Sequence, residues 1–175
     1  MKKILILLLS SLIFHNVNAQ LFVRELDPKT DEVLLKGRIE FKDMAFESDY
    51  HWLKSGMEAY EADEEMVSKL KVLLPKYRYV VFLGTWCHDT QLLIPEYFKT
   101  LKMADYPFEA IEMYGLNRDK EAINIEHRLY NIKSVPTFII MDRFREVGRI
   151  VESVETSIEE ELLNILESDI QAQSE

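Results

Sequence analysis

Residues 79–83 read Tyr-Val-Val-Phe-Leu, an unbroken apolar run of aromatic and β-branched residues. A run of that kind suits a strand buried on both faces, with layers of structure above and below it. Behind it stands GTWCHDT, residues 84–90, and then QLLIPEYFKTL, where Leu92, Leu93, Tyr97 and Leu101 predict a helix over residues 88–103. Pro95 falls inside that helix, which predicts a kink and an unpaired carbonyl. A buried strand leading directly into a helix is the start of an α/β unit.

The flanking segments extend the pattern. Asp63 caps a helix carrying Met66, Val67, Leu70 and Leu74 at helical spacing, and Pro75 closes it. Beyond the cysteine the pattern predicts a strand over residues 108–114, a helix over 119–130 and a strand over 137–141. Asp142 and Arg143 then turn the chain into a strand over 146–151. A capping box, Thr156 with Glu159, opens a last helix whose apolar stripe is Ile158, Leu162, Leu166 and Ile170. Glu159, Glu160 and Glu161 read as a solvated first turn suited to the helix dipole. The order β-α-β-α-β-β-α demands parallel pairing first and a hairpin last, a mixed central sheet flanked by helices.

The N-terminal part reads differently. Lys2 and Lys3, an apolar run over residues 4–14, and Val17-Asn18-Ala19 come in the order of a signal peptide cut after Ala19. The run is too short to span a bilayer. The expected divisions are a leader over 1–19, an N-terminal arm and extension over 20–62, and the main domain over 63–175. Within the extension, 21–36 reads as a loosely held arm and 33–41 as a short strand. Residues 43–62, with Trp52 and several aromatics, read as short helical pieces packed on the domain. A formal charge of −10 argues against nucleic acid or anionic lipid as partner. The expected product is an exported chain, periplasmic or secreted, with no membrane association once the leader is gone.

Export would place the chain where disulfides persist, yet its single cysteine, Cys87, cannot form one internally. What remains is a reactive thiol, an intermolecular bridge, a metal ligand or an inert buried residue. Where a buried strand ends and a helix begins, free backbone N–H groups and the helix dipole favour the thiolate. Asp89 in the same turn works against it.

These residues give the chain over 63–170 a resemblance to the thioredoxin superfamily. It is carried by VVFLGTWC, by Pro95 inside the helix, and by YNIKSVPTFII ahead of the final hairpin. The resemblance implies a thioredoxin fold, a cis bond at Val135-Pro136 with Pro136 against the active-site cysteine, and backbone at Val135 that pairs with extended substrate. It also implies that Trp86 borders the site. The departures are as telling. Thr90 stands where the family has a second cysteine, and Val81 stands where it has a buried acid. Three residues along the helix from Cys87, the Thr90 hydroxyl is expected to support the thiolate; His88 is a weaker candidate for contact with substrate.

Two readings follow. In the first the chain is a monothiol protein in which Cys87 attacks a polypeptide or low-molecular-weight disulfide and waits for an outside thiol to resolve the product. In the second it is a redox-inactive binding module that holds a polypeptide in the same groove or on the aromatic segment 46–60. Metal binding by Cys87, His88, Asp89 and His127 has poor spacing and is not expected. No cofactor is expected either, since the chain's five glycines supply no phosphate-binding loop. Trp86 and the Pro136 loop crowd Cys87, so a monomer is expected rather than a dimer bridged through it.

Overall fold

The computed structural model describes residues 21–174, and the leader expected over 1–19 lies outside them. The apolar run is strand β3 (Arg78–Leu83), with Tyr79 through Leu83 at most 2% exposed. It pairs in parallel with β4 (Ile111–Gly115) and antiparallel with β5 (Thr137–Asp142), which forms a hairpin with β6 (Arg145–Val151). Its side chains alternate as a strand requires. Tyr79, Val81 and Leu83 enter one core, while Val80 and Phe82 enter a second on the opposite face.

The first core is roofed by α4 (His88–Met103), α3 (Glu64–Leu73) and α6 (Ile158–Ser174). Asp63 caps α3 by accepting the Met66 N–H at 2.8 Å. Helix α4 runs unbroken through the buried Pro95, and Leu92, expected in the apolar stripe, is exposed while Leu93, Ile94, Tyr97 and Phe98 fill the core. The second core is covered by residues 116–135. The helix expected over 119–130 reduces there to one turn, α5 (Glu126–Leu129). Polar side chains compete with helix formation at this point: Asn117 Oδ1 accepts the Glu121 N–H, and His127 Nδ1 accepts the Ala122 N–H.

The region read as a loose arm contributes β1 (Phe22–Leu26), which forms a hairpin with β2 (Val33–Ile39), the short strand expected over 33–41, and β2 pairs antiparallel with β4. Among the described residues, six strands form one sheet in the order β1-β2-β4-β3-β5-β6. Polar composition concealed β1, an edge strand whose residues Arg24 to Leu26 are exposed. After them come α1 (Lys42–Ala45), a 3₁₀ turn (Ser48–Tyr50) and α2 (His51–Ala59), the short helical pieces expected over 43–62. Helix α2 packs on α4 where Gly56 meets Pro95; a Cβ on Gly56 would lie 2.6 Å from the Pro95 Cβ. The expected strand over 108–114 begins only at Ile111, because residues Phe108–Ala110 form a 3₁₀ turn.

Two expectations about α6 fail together. Ser157, rather than Thr156, caps the helix, accepting the Glu160 N–H at 3.2 Å. Glu159 is fully buried instead of solvated. Its carboxylate accepts the Tyr60 hydroxyl at 2.7 Å and the Thr100 hydroxyl at 2.8 Å, tying the end of the extension to α4 and α6. Burial and the Glu159 bond together hold the Tyr60 hydroxyl far above its ordinary range. Tyr60→Phe leaves a buried carboxylate short of a donor, and denaturant titration should show a loss of about 1–3 kcal/mol. An unchanged midpoint would mean that this buried group does not anchor the extension.

Candidate active site

The turn between β3 and α4 is stitched locally. The Cys87 N–H donates to the Gly84 carbonyl at 2.8 Å, and Gln91 Nε2 donates to the Thr85 carbonyl at 2.9 Å. Gly84 is required by the close approach of Trp86: a Cβ there would sit 2.7 Å from the indole. Cys87 has extended backbone angles, φ −90° and ψ 128°, and occupies the N-cap of α4. The half-buried thiol therefore stands at the positive end of a 16-residue helix.

Pairing of β3 with β5 brings the segment before Thr137 to the same edge. The Cys87 thiol donates to the Val135 carbonyl at 3.2 Å, and the Val135-Pro136 bond is cis. Trp86 turns the other way and donates from Nε1 to the Leu116 carbonyl at 2.9 Å, at the end of β4. Cys87, Trp86, Val135 and Pro136 are thus gathered at the carboxyl end of β3. His88 and Asp89 are exposed. Thr90 is buried, and its hydroxyl oxygen accepts the Gly84 N–H at 3.3 Å, so the side chain expected to support the thiolate is engaged with the turn. His127 is buried in α5, and among the described residues no group of three or more His, Cys, Asp or Glu side chains converges on a metal position.

A cation that sequence reasoning missed completes the site. The Arg118 guanidinium lies 5.0 Å from the Trp86 ring centroid. It donates through Nε to Asp27 at 2.6 Å and forms an ion pair with the same carboxylate. Asp27, fully buried at the end of β1, also accepts the Lys29 N–H at 2.9 Å and the Thr30 hydroxyl at 3.1 Å. The bond to Asp27 is the main cause of a raised Arg118 pKa, and the fields of Glu32 and Cys87 add to it. Asp27 and Arg118 are 91 residues apart, and nothing local in the sequence announces the pair.

A thioredoxin family model matches residues 40–162. Among solved structures, a protein of unknown function from Pseudomonas aeruginosa is 15% identical, with a TM-score of 0.56 over 75% of this chain and 93% of that one. An HIV epitope-scaffold protein is 15% identical, with a TM-score of 0.55 and the same coverages. Thioredoxin O2 of Arabidopsis thaliana in its oxidised state is 17% identical, with a TM-score of 0.37 over 59% of this chain and 83% of that one. At such identities the first two likenesses speak for the fold alone. No curated protein matches the sequence.

The Arg118 hydrogen bond, opposed by burial and helped by the Lys29 N–H and Thr30, holds Asp27 at about 2 against an ordinary 3.8. A carboxylate depressed in this way contributes stability that is whole above 3.8 and lost as the pH falls through about 2. Asp27→Asn should lower stability at neutral pH, and the gap to the wild type should close between about 4 and about 2 in a series of denaturant titrations. A gap that stayed constant over that window would remove the ion pair from the account.

Proposed function

The chain belongs to the thioredoxin family, and from that premise we propose that it is an exported monothiol member acting in thiol-disulfide exchange through Cys87. The observation that carries this reading is the placement of a half-buried thiol at the N-cap of α4, against the Val135-Pro136 segment. A helix N-terminus favours the negative charge a thiolate carries. Export is inferred from the order of charge, apolar run and small residues over 1–19.

In the step proposed, Cys87 loses its proton to solvent and Sγ attacks one sulfur of a polypeptide or low-molecular-weight disulfide. A bond from Sγ to that sulfur forms as the substrate S–S bond breaks. The second sulfur leaves with the electron pair and takes a proton from water. An external thiolate then attacks the mixed disulfide and returns Cys87 to its starting state. With Thr90 at the position of a resolving cysteine, the mixed disulfide waits for that outside thiol. Trp86 and Val135 border the substrate, Pro136 shapes the groove beside Cys87, and His88 stands at its exposed rim.

A second reading has its own support. The thiol donates to the Val135 carbonyl, an arrangement available only to the protonated sulfur. On this reading the protein is redox-inactive and holds a polypeptide in the same groove. Incubation with oxidised glutathione distinguishes the two by intact mass. The exchange reading predicts one glutathione on the folded wild type, none on Cys87→Ser, and release on addition of free thiol. A folded chain that forms no adduct, while the unfolded chain does, would favour the holder.

A further inference from the structure

Between α1, α2 and the C-terminal half of α4 lies a pocket of about 370 Å³, the size of a small-ligand site. Its apolar lining comes from three directions: Phe41 and Phe46 flank α1, Leu53 and Met57 stand on α2, and Phe108 follows α4. Phe41 packs against Phe98 and Phe108 at ring-centroid distances of 4.7 and 4.5 Å, which fixes this wall. Phe46 is 89% exposed, so apolar area at the pocket is left for a ligand to cover.

The charged lining has the opposite sign to the chain as a whole. Lys54, Lys99 and Lys102 line the pocket against one carboxylate, Glu58, in a chain of formal charge −10. Glu58 is paired with Lys54 at 4.0 Å. Lys99 and Lys102, one turn apart on α4, form no ion pair among the described residues. Other acids of the surrounding elements are engaged elsewhere. Glu40 pairs with Lys42 at 2.6 Å, Glu47 with Arg24 at 2.8 Å and Asp105 with Lys71, while Asp43 accepts the Glu40 N–H at 2.7 Å. Glu96 lies in the field of Glu159, and Glu109 in that of Lys42. Two lysines without counterions beside apolar walls complement a ligand with an apolar body and an anionic head.

We propose that this pocket binds an amphipathic carboxylate, a small molecule with a medium-length acyl chain. The chain lies along the phenylalanines and Met57, and the carboxylate accepts hydrogen bonds from the Lys99 and Lys102 ammonium groups. Half-buried Lys99 suits this task, since its stem covers apolar surface while its head stays near water. No strand lines the pocket, so an extended peptide finds no backbone edge to pair with. A second copy docked on the same face would set these lysines against their own counterparts. Lys99 stands about 18 Å along α4 from Cys87, so the site is separate from the thiol and independent of the exchange reading.

The test is calorimetric titration of the full chain with octanoate, octanol and octyltrimethylammonium. Octanoate should bind one to one with a dissociation constant on the order of 100 μM, the range of a ligand of about ten heavy atoms. Octanol should bind about fivefold weaker and the cation weakest, because each lysine contributes as a partly solvated charge pair. The double change Lys99→Gln and Lys102→Gln should bring octanoate to the octanol level, as should high salt. Ala45→Phe, which fills the pocket, should abolish binding of both. Glu58→Gln guards against misfolded variants: by releasing Lys54 it should tighten octanoate about twofold and leave octanol unchanged. Octanoate that fails to bind saturably overturns the proposal, as does octanol that binds equally well or octanoate binding that survives the double lysine change. An affinity that Glu58→Gln leaves unchanged or weakens overturns the role given to the lysines. Dimerisation in sedimentation that octanoate does not reverse would assign the face to a second copy. Co-sedimentation with phosphatidylglycerol vesicles without octanoate binding would assign it to a lipid surface, and either result overturns the proposal too.

Discussion

The pairing of β3 on both of its edges is the constraint on which the site depends. Phe82 opposite Thr137 sets the end of β3 beside the start of β5, so the turn at 84–87 meets Val135 and Pro136. Leu83 opposite Gly115 sets the same end beside the exit of β4, where the Leu116 N–H donates to the Leu83 carbonyl and the Leu116 carbonyl receives Trp86. Two loops distant in sequence therefore converge on one cysteine because a single buried strand has neighbours on both sides. The apolar run that fills both cores also fixes where the chemistry stands.

The extension joins this arrangement through polar contacts as well as packing. Asp27 reaches from the hairpin to Arg118, which in turn covers Trp86, while Glu159 receives Tyr60 from the end of α2. Both carboxylates are fully buried, and a buried charge is tolerated only when hydrogen bonds replace its water. Each is surrounded by donors from other parts of the chain, which makes the position of the extension specific rather than merely favourable.

Most of what could be read from the sequence was local and periodic. The strand 79–83, the helix 88–103 to both its ends, the Asp63 cap and the last helix all announce themselves through apolar spacing and terminal residues. Strand β1 of the N-terminal hairpin did not, because an exposed edge strand resembles a polar arm, whereas its partner β2 lies within the strand expected over 33–41. The one-turn α5 shows the reverse case, where side chains such as Asn117 and His127 satisfied the backbone before a helix formed. At the site, Cys87, Trp86 and the Val135-Pro136 pair were legible because each carries a family resemblance in its own neighbourhood. The pairing of Arg118 with Asp27 depends on contacts between distant segments that no local pattern contains, and Thr90 showed its bond to Gly84 only once the turn was in three dimensions.

The central claim is that the fold turns Cys87 into a nucleophile, and it is met most directly by the rate of iodoacetamide labelling in the folded chain against the urea-unfolded chain at slightly acidic pH. The account predicts faster labelling of the folded chain, because the N-terminus of α4 acts on the thiol only when the structure is present. Labelling that is slow in the folded chain and rises on unfolding would contradict it and leave the thiol as a donor to the Val135 carbonyl in a site that binds without exchange.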